Sequence, residues 1–303
     1  MQDVEPQGAG PGDPEEGVQV GPDVAAFMIT VPNTLGMFEP RIMEITEICH
    51  ARGVQVYMDG ANLNAILGIA RPGDLGFDVC HFNLHKTFTT PHGGGGPGCG
   101  PVGYKRILDP YAPTPTVEKS HDGVYHLEYN RPKSIGRLRT FYGNFGMMVR
   151  AYAYLREMGA EGLKGATDLA VLNANYLRVC LGELWNVAYD TTCMHEVVIN
   201  DRHLKDTGVT TMDVAKRLLD YGFHAPTVYF PLVVKGAMLI EPTETETRQA
   251  LDRYVDAMTA ISKEAHEQPE MVKKAPHLSR LRRLDETRAA RKPVLRWRKP
   301  AAQ

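Results

Sequence analysis

Three short apolar runs punctuate the first third of the chain: "VAAFMITV" at 24–31, "VQVYM" at 54–58 and residues 77–83. Each is too short for a stable helix; the first two read as buried strands and the third as a strand candidate. Between the first two, residues 40–52 carry Ile42, Ile45, Ile48 and Cys49 at helical spacing, and Gly53 supplies the stop. A short helical or irregular piece, "ANLNAILG", follows the second run. Alternating buried strand and helix predicts an α/β unit with a mostly parallel sheet and flanking helices. In such sheets, ligand-binding groups gather beyond the carboxyl ends of the strands. Asn33, Asp59 and Lys86 each stand just after one of the three runs.

Residues 109–140 lose this pattern and read as a polar, Pro-rich excursion over the surface. Helical spacing returns at 143–158 and continues after residue 160 with Leu169, Leu172, Tyr176 and Val179 on one face. Short apolar runs at 195–199 and 238–242 bracket a helix predicted at 211–221, an α+β arrangement. The expected organisation is a flexible segment over 1–22, a cofactor-sized α/β domain over 23–155 and a small α+β domain over 156–303 with a basic tail. That tail, "RKPVLRWRKP", sets Leu295 and Trp297 among its cations, so it is expected to pack on a surface, a partner subunit being one choice.

Composition narrows the class. The 303 residues are 43% hydrophobic and 23% charged with a net charge of -2, the profile of a soluble globular protein with no electrostatic case for nucleic acid or an anionic membrane. No apolar run reaches the roughly 20 residues needed to span a bilayer, and the N-terminus has neither a basic nor an apolar signal region. Five cysteines with no C-x-x-C pair favour free thiols in a reducing compartment, the cytoplasm.

The chemistry centres on "HFNLHKTFTTPHGGGGPGCGP", residues 81–101. Lys86 beside an apolar strand is suited to attack a carbonyl once desolvation favours its neutral amine. A lone lysine at a strand end is more often a surface residue. Asp59, 27 positions upstream, shifts that balance. A carboxylate closing an apolar strand needs a cationic partner, and a pyridinium nitrogen is one; "DG" is also an ordinary turn dipeptide. A metal site fares worse. His81 and His85 would lie about 13 Å apart along a strand at about 3.3 Å per residue, and no H-E-x-x-H occurs, so no metal is expected. "GGGGPG" fits G-x-G-x-x-G formally, but it follows the lysine segment instead of opening a helix after a strand.

Strand–Asp-Gly-Ala followed by strand–His-Lys resembles the fold-type I pyridoxal-phosphate (PLP) enzymes. Within them, "ITVPNTLGMFEP", "YMDGANLNAILG", "FNLHKTFTTPHGGGGPGCGPVG", "RPKSIGRLRTFYGNFGMMVRAYAYLREMG", "LNANYLR" and "DETRAARKPVLRW" resemble successive blocks of the P-protein family of the glycine cleavage system, the decarboxylating glycine dehydrogenases. The likeness runs from about Gly21 onward and is strongest to the second subunit of the two-subunit form.

That resemblance implies the C-terminal part of a fold-type I PLP-dependent large domain followed by an α+β small domain. It implies PLP held covalently by Lys86, Asp59 on the pyridine nitrogen, Ala61 against one ring face and Asn33 near the phenolic oxygen. His85 and Thr87 become candidates for phosphate or supporting contacts, and His92 for donation to the substrate. The activity implied is glycine decarboxylation, with the aminomethyl group passed to the lipoyl arm of the H-protein, which the glycine loop would admit. A first P-protein subunit is the implied partner, in a homo- or hetero-oligomer. Arg137, Arg139 and Arg150 are unranked candidates for the substrate carboxylate. One departure stands out: only 58 residues precede Asp59, and no phosphate loop or ring-stacking histidine can be placed among them. The expectation is therefore of an N-terminally shortened relative that needs a partner. A non-catalytic interaction subunit of the same fold, or another fold-type I enzyme such as a desulfurase or aminotransferase, are the alternatives.

Overall fold

The computed structural model describes residues 21–138, 141–297 and 299. Residues 1–20, which hold nearly all of the expected flexible segment, and Arg139 lie outside them. The chain forms two compact units. The first comprises residues up to Asn33 and Phe38–Thr167, the second Thr34–Met37 and residues from Asp168 onward.

The first unit is built on a four-stranded sheet: β1 (Ala26–Thr30), β2 (Gln55–Gly60), β3 (Val79–Phe82) and β4 (Val102–Tyr104), in that spatial order. β1, β2 and β3 run parallel and β4 returns antiparallel. The parallel step from β1 to β2 needs a crossover, which helix α1 (Ile42–His50) supplies. Ile42, Thr46 and Cys49 form its buried face, while Arg41 and Glu44 pair in solvent. β2 buries Val56 and Met58 completely. At about 1.5–3 kcal/mol per fully buried aliphatic side chain, these fix its register.

β3 leads directly into one turn of helix, α2 (Leu84–Thr87), where the sequence predicted only a strand end. The polar excursion is not featureless: β5 (Thr116–Lys119) and β6 (Tyr125–Glu128) form an antiparallel hairpin. Helix α3 (Phe145–Gly182) begins in the first unit and ends in the second, broken at Gly159, whose φ of 61° leaves the helical region.

In the second unit β7 (Asn186–Val187), β8 (Val197–Asn200), β9 (Thr227–Val228) and β10 (Ala237–Ile240) make an antiparallel sheet in the order β7-β8-β10-β9. Helix α4 (Thr211–Asp220) starts with a reciprocal capping box between Thr210 and Asp213. Helix α5 (Arg248–Glu267) packs Met258 and Ile261 into a core with Leu177, Trp185, Ile199 and Met238. The Arg217 guanidinium spans both oxygens of Glu264, at 2.8 and 2.9 Å, and also holds Asp220 at 2.9 Å. The basic tail joins this unit through Arg283, which donates to Asp213 at 2.7 Å. At its end Leu295 and Trp297 are 87% and 82% exposed. All five cysteines are free thiols. Among the described residues no helix is long and apolar enough to cross a membrane.

Candidate active site

The site is assembled by the topology of the first sheet. Asn33 follows β1, Asp59 and Ala61 close and follow β2, and Lys86 follows β3. These are three neighbouring parallel strands, so the three residues share one end of the sheet.

Asp59 lies within β2, not after it, and Gly60 is its last residue. The "DG" pair is thus a strand end and not a turn. Glycine is required there for space: a Cβ would come within 2.7 Å of the His81 carbonyl and 2.8 Å of the Cys80 sulfur. The Asp59 Oδ1 accepts the Ala61 amide at 2.9 Å and lies 3.3 Å from His81 Nε2. Both contacts fall on one oxygen; Oδ2 makes no hydrogen bond among the described residues. The far side of His81 meets the Tyr57 hydroxyl, 3.0 Å from Nδ1. Tyr57 and Asp59 are two apart on β2 and share a face, and His81 sits opposite Asp59 in register on β3. Burial, and then the charge of Asp59, raises the pKa of the Tyr57 phenol.

α2 presents Lys86 outward. Leu84 and Thr87 are its buried side, and the Lys86 side chain is exposed with no hydrogen bond or ion pair among the described residues. Thr87, expected near the cofactor, uses its hydroxyl to accept the Leu63 amide at 3.0 Å. His85 is half-buried, with Nδ1 shielded from solvent and unbonded. Burial, then the neighbouring His92 and Lys86, hold its imidazole below the usual pKa. Its ring lies 4.7 Å from that of His92. His85 stands on a helical turn and His81 on a strand, so the two do not lie along one strand as the metal argument assumed.

His92 opens the glycine run. Gly93, Gly94 and Gly95 have φ of 58°, 70° and 103°, a left-handed sequence that L side chains resist. That requirement accounts for the glycines without a dinucleotide. Asn144 anchors the turn by donating to the Gly98 carbonyl at 2.9 Å. Of the arginine candidates, Arg150 donates to the Thr89 carbonyl at 2.8 Å, and Arg137 lies 5.8 Å from the centre of the Tyr129 ring.

Two groups escaped the sequence reading. Asp78, 5% exposed, accepts from the Val56 amide and pairs with His50, both at 2.8 Å, and with Lys105 at 3.3 Å. In the second unit the ligand atoms of His195, Glu196 and Glu241 lie within 4.8 Å of one another. In both cases the partners are distant in sequence or carry no spacing signature.

Residues 166–280 match the family described as glycine dehydrogenase, C-terminal domain. A protein of Caldanaerobacter subterraneus subsp. tengcongensis, named probable glycine dehydrogenase (decarboxylating) subunit 2, is 59% identical over 277 residues, 91% of this chain and 57% of its own length. The chain therefore spans little more than half of the curated relatives it matches. The crystal structure of an inhibitor-bound glycine decarboxylase (P-protein) aligns over 80% of this chain and 56% of its own, with a TM-score of 0.66 at 21% identity. A C-DES mutant with glycine covalently linked to its PLP cofactor aligns over 79% and 61%, with a TM-score of 0.61 at 13% identity. The chain shares its fold with these two solved structures.

Proposed function

From the kinship of this chain with the glycine dehydrogenase (decarboxylating) subunit 2 proteins, we propose that it serves PLP-dependent glycine decarboxylation, in a reducing cytoplasm and alongside a partner P-protein chain. The observation that carries this reading is the convergence of Asn33, Asp59 and Lys86 on one end of three adjacent parallel strands.

The residues present fit PLP. Asp59 offers an oxygen, Oδ2, not used by the fold, to a protonated pyridine nitrogen. Lys86 offers an amine with no competing acceptor. Ala61, half-buried and small, leaves room for a flat ring beside the carboxylate. Bound there, PLP would supply the electron sink that carbon–carboxylate cleavage needs. The chain's own part is to orient and to keep charge in place. Asp59 would keep the ring nitrogen protonated through a carboxylate that accepts the Ala61 amide and faces His81. Lys86 would hold the cofactor through its amine, and the same amine, when free, would be a base at that position. His92, exposed at the glycine turn, is positioned on the solvent side, where a lipoyl arm of an H-protein would enter to accept the aminomethyl group.

The test is direct. The chain is mixed with PLP, reduced with borohydride and digested for mass mapping, and then assayed for glycine decarboxylation with H-protein and the partner chain. Label on Lys86 and decarboxylation dependent on both proteins are expected. Label scattered over surface lysines in the presence of the partner chain would overturn the proposal.

A further inference from the structure

Resting on that reading of Asp59, we propose that His81 is a positioning residue for the Asp59 carboxylate, with its tautomer set by Tyr57. A neutral imidazole carries one N–H. Its Nε2 faces an acceptor, Asp59 Oδ1 at 3.3 Å, and its Nδ1 faces a hydroxyl, Tyr57 at 3.0 Å. Only one assignment satisfies both contacts with Asp59 ionised: Nε2–H donates to the carboxylate, and Tyr57 O–H donates to Nδ1. The reverse tautomer would set the Nε2 lone pair against a carboxylate lone pair, and it would survive only with Asp59 protonated.

The consequence concerns the two oxygens of Asp59. Oδ1 accepts the Ala61 amide at 2.9 Å and faces His81 Nε2 at an ion-pair distance of 3.3 Å. With both groups on one oxygen, the carboxylate plane is fixed, and Oδ2 is left as the oxygen presented to a cation. Tyr57 stays a proton donor over the working range, because burial opposes its ionisation. The β2–β3 register makes the arrangement possible: His81 opposes Asp59 from the next strand, and Tyr57, opposite Val79, stands two residues from Asp59 on the same face of β2. The same logic by which a second residue orients a metal-ligating histidine applies here to a cofactor-binding carboxylate.

The experiment uses the full chain with histidine labelled by nitrogen-15 and no cofactor, near neutral pH. His81, assigned by H81Q, is expected as the Nε2–H tautomer, and Y57F is expected to give a mixture of tautomers. An Nδ1–H tautomer in the wild type, or an unchanged His81 spectrum in Y57F, would overturn the proposal. PLP titration followed by absorbance is the second arm. H81Q is expected to weaken binding about tenfold, the loss of one hydrogen bond to a charged group, and Y57F severalfold, the loss of one between neutral groups, with Lys86 still the residue trapped in both. Unchanged affinity in both variants would also overturn the proposal. A wild-type chain that takes up no PLP even with its partner would sink the functional reading alone, since the tautomer of His81 is read without cofactor.

Discussion

The Thr87 hydroxyl accepts the backbone amide of Leu63 at 3.0 Å, joining the turn that carries Lys86 to the loop that follows Asp59. The two loops leave adjacent strands, and a second bond, Asn83 amide to Ala61 carbonyl at 3.3 Å, runs beside it. The lysine and the carboxylate are thus held in one frame before any ligand arrives.

Thr87→Val keeps the shape of the side chain and leaves the Leu63 amide buried without an acceptor. A loss of about 1–3 kcal/mol in stability is expected. PLP binding should weaken while Lys86 stays intact. Hydrogen exchange at Leu63 and a PLP titration check both.

Lys86→Ala should abolish borohydride trapping at a cost within about 0.5 kcal/mol of wild-type stability, since the side chain is exposed and unpaired. Denaturation followed by circular dichroism, next to mass mapping, separates the chemical loss from any structural one.

Gly60→Ala tests the close approach of β2 and β3. The new methyl meets the His81 carbonyl and the Cys80 sulfur, and forcing the strands apart should cost about 1–3 kcal/mol. Because Asp59 and His81 flank the contact, PLP affinity should fall with stability. Equal affinity at lower stability would show that the site tolerates the shift.

Asp78 gives the first unit an acid-sensitive joint. Burial alone would raise its pKa; the Val56 amide, His50 and Lys105 outweigh that and hold it below the usual carboxylate range. A lowered folded-state pKa means the contribution is complete above the unfolded value of about 3.9 and is lost as pH falls through the folded one. Asp78→Asn should cost about 2 kcal/mol near neutral pH and flatten the stability–pH curve below about pH 4. An unchanged acid limb would rule Asp78 out as its source.

Much of this architecture was legible in the sequence. The three apolar runs became β1, β2 and β3, Gly53 ended α1, and the apolar stretches at 195–199 and 238–242 fell on β8 and β10. The pattern failed where structure depends on partners far away. α2 is a single turn, too short to show a period, and is held by bonds from Leu63 and by burial of Leu84. The β5–β6 hairpin has exposed faces and so lacks an apolar signature. His81 was weighed only as a metal ligand. Its contacts with Asp59 and Tyr57 follow from β2–β3 register, which no local spacing encodes. Asp78 looked like any loop-side acid until His50 and Lys105 came in from 28 and 27 positions away.

The chain has two tryptophans, and their placement decides what intrinsic fluorescence can see. Trp185 is 2% exposed, edge-on to His203 at 4.3 Å, and Trp297 is 82% exposed. The first should emit blue-shifted light lost on melting of the second unit; the second should emit at long wavelength and be reached by aqueous quenchers. Both belong to the second unit. The unit with Asp59 and Lys86 has no tryptophan, so a melt followed by tryptophan emission alone would score a damaged site as an intact protein.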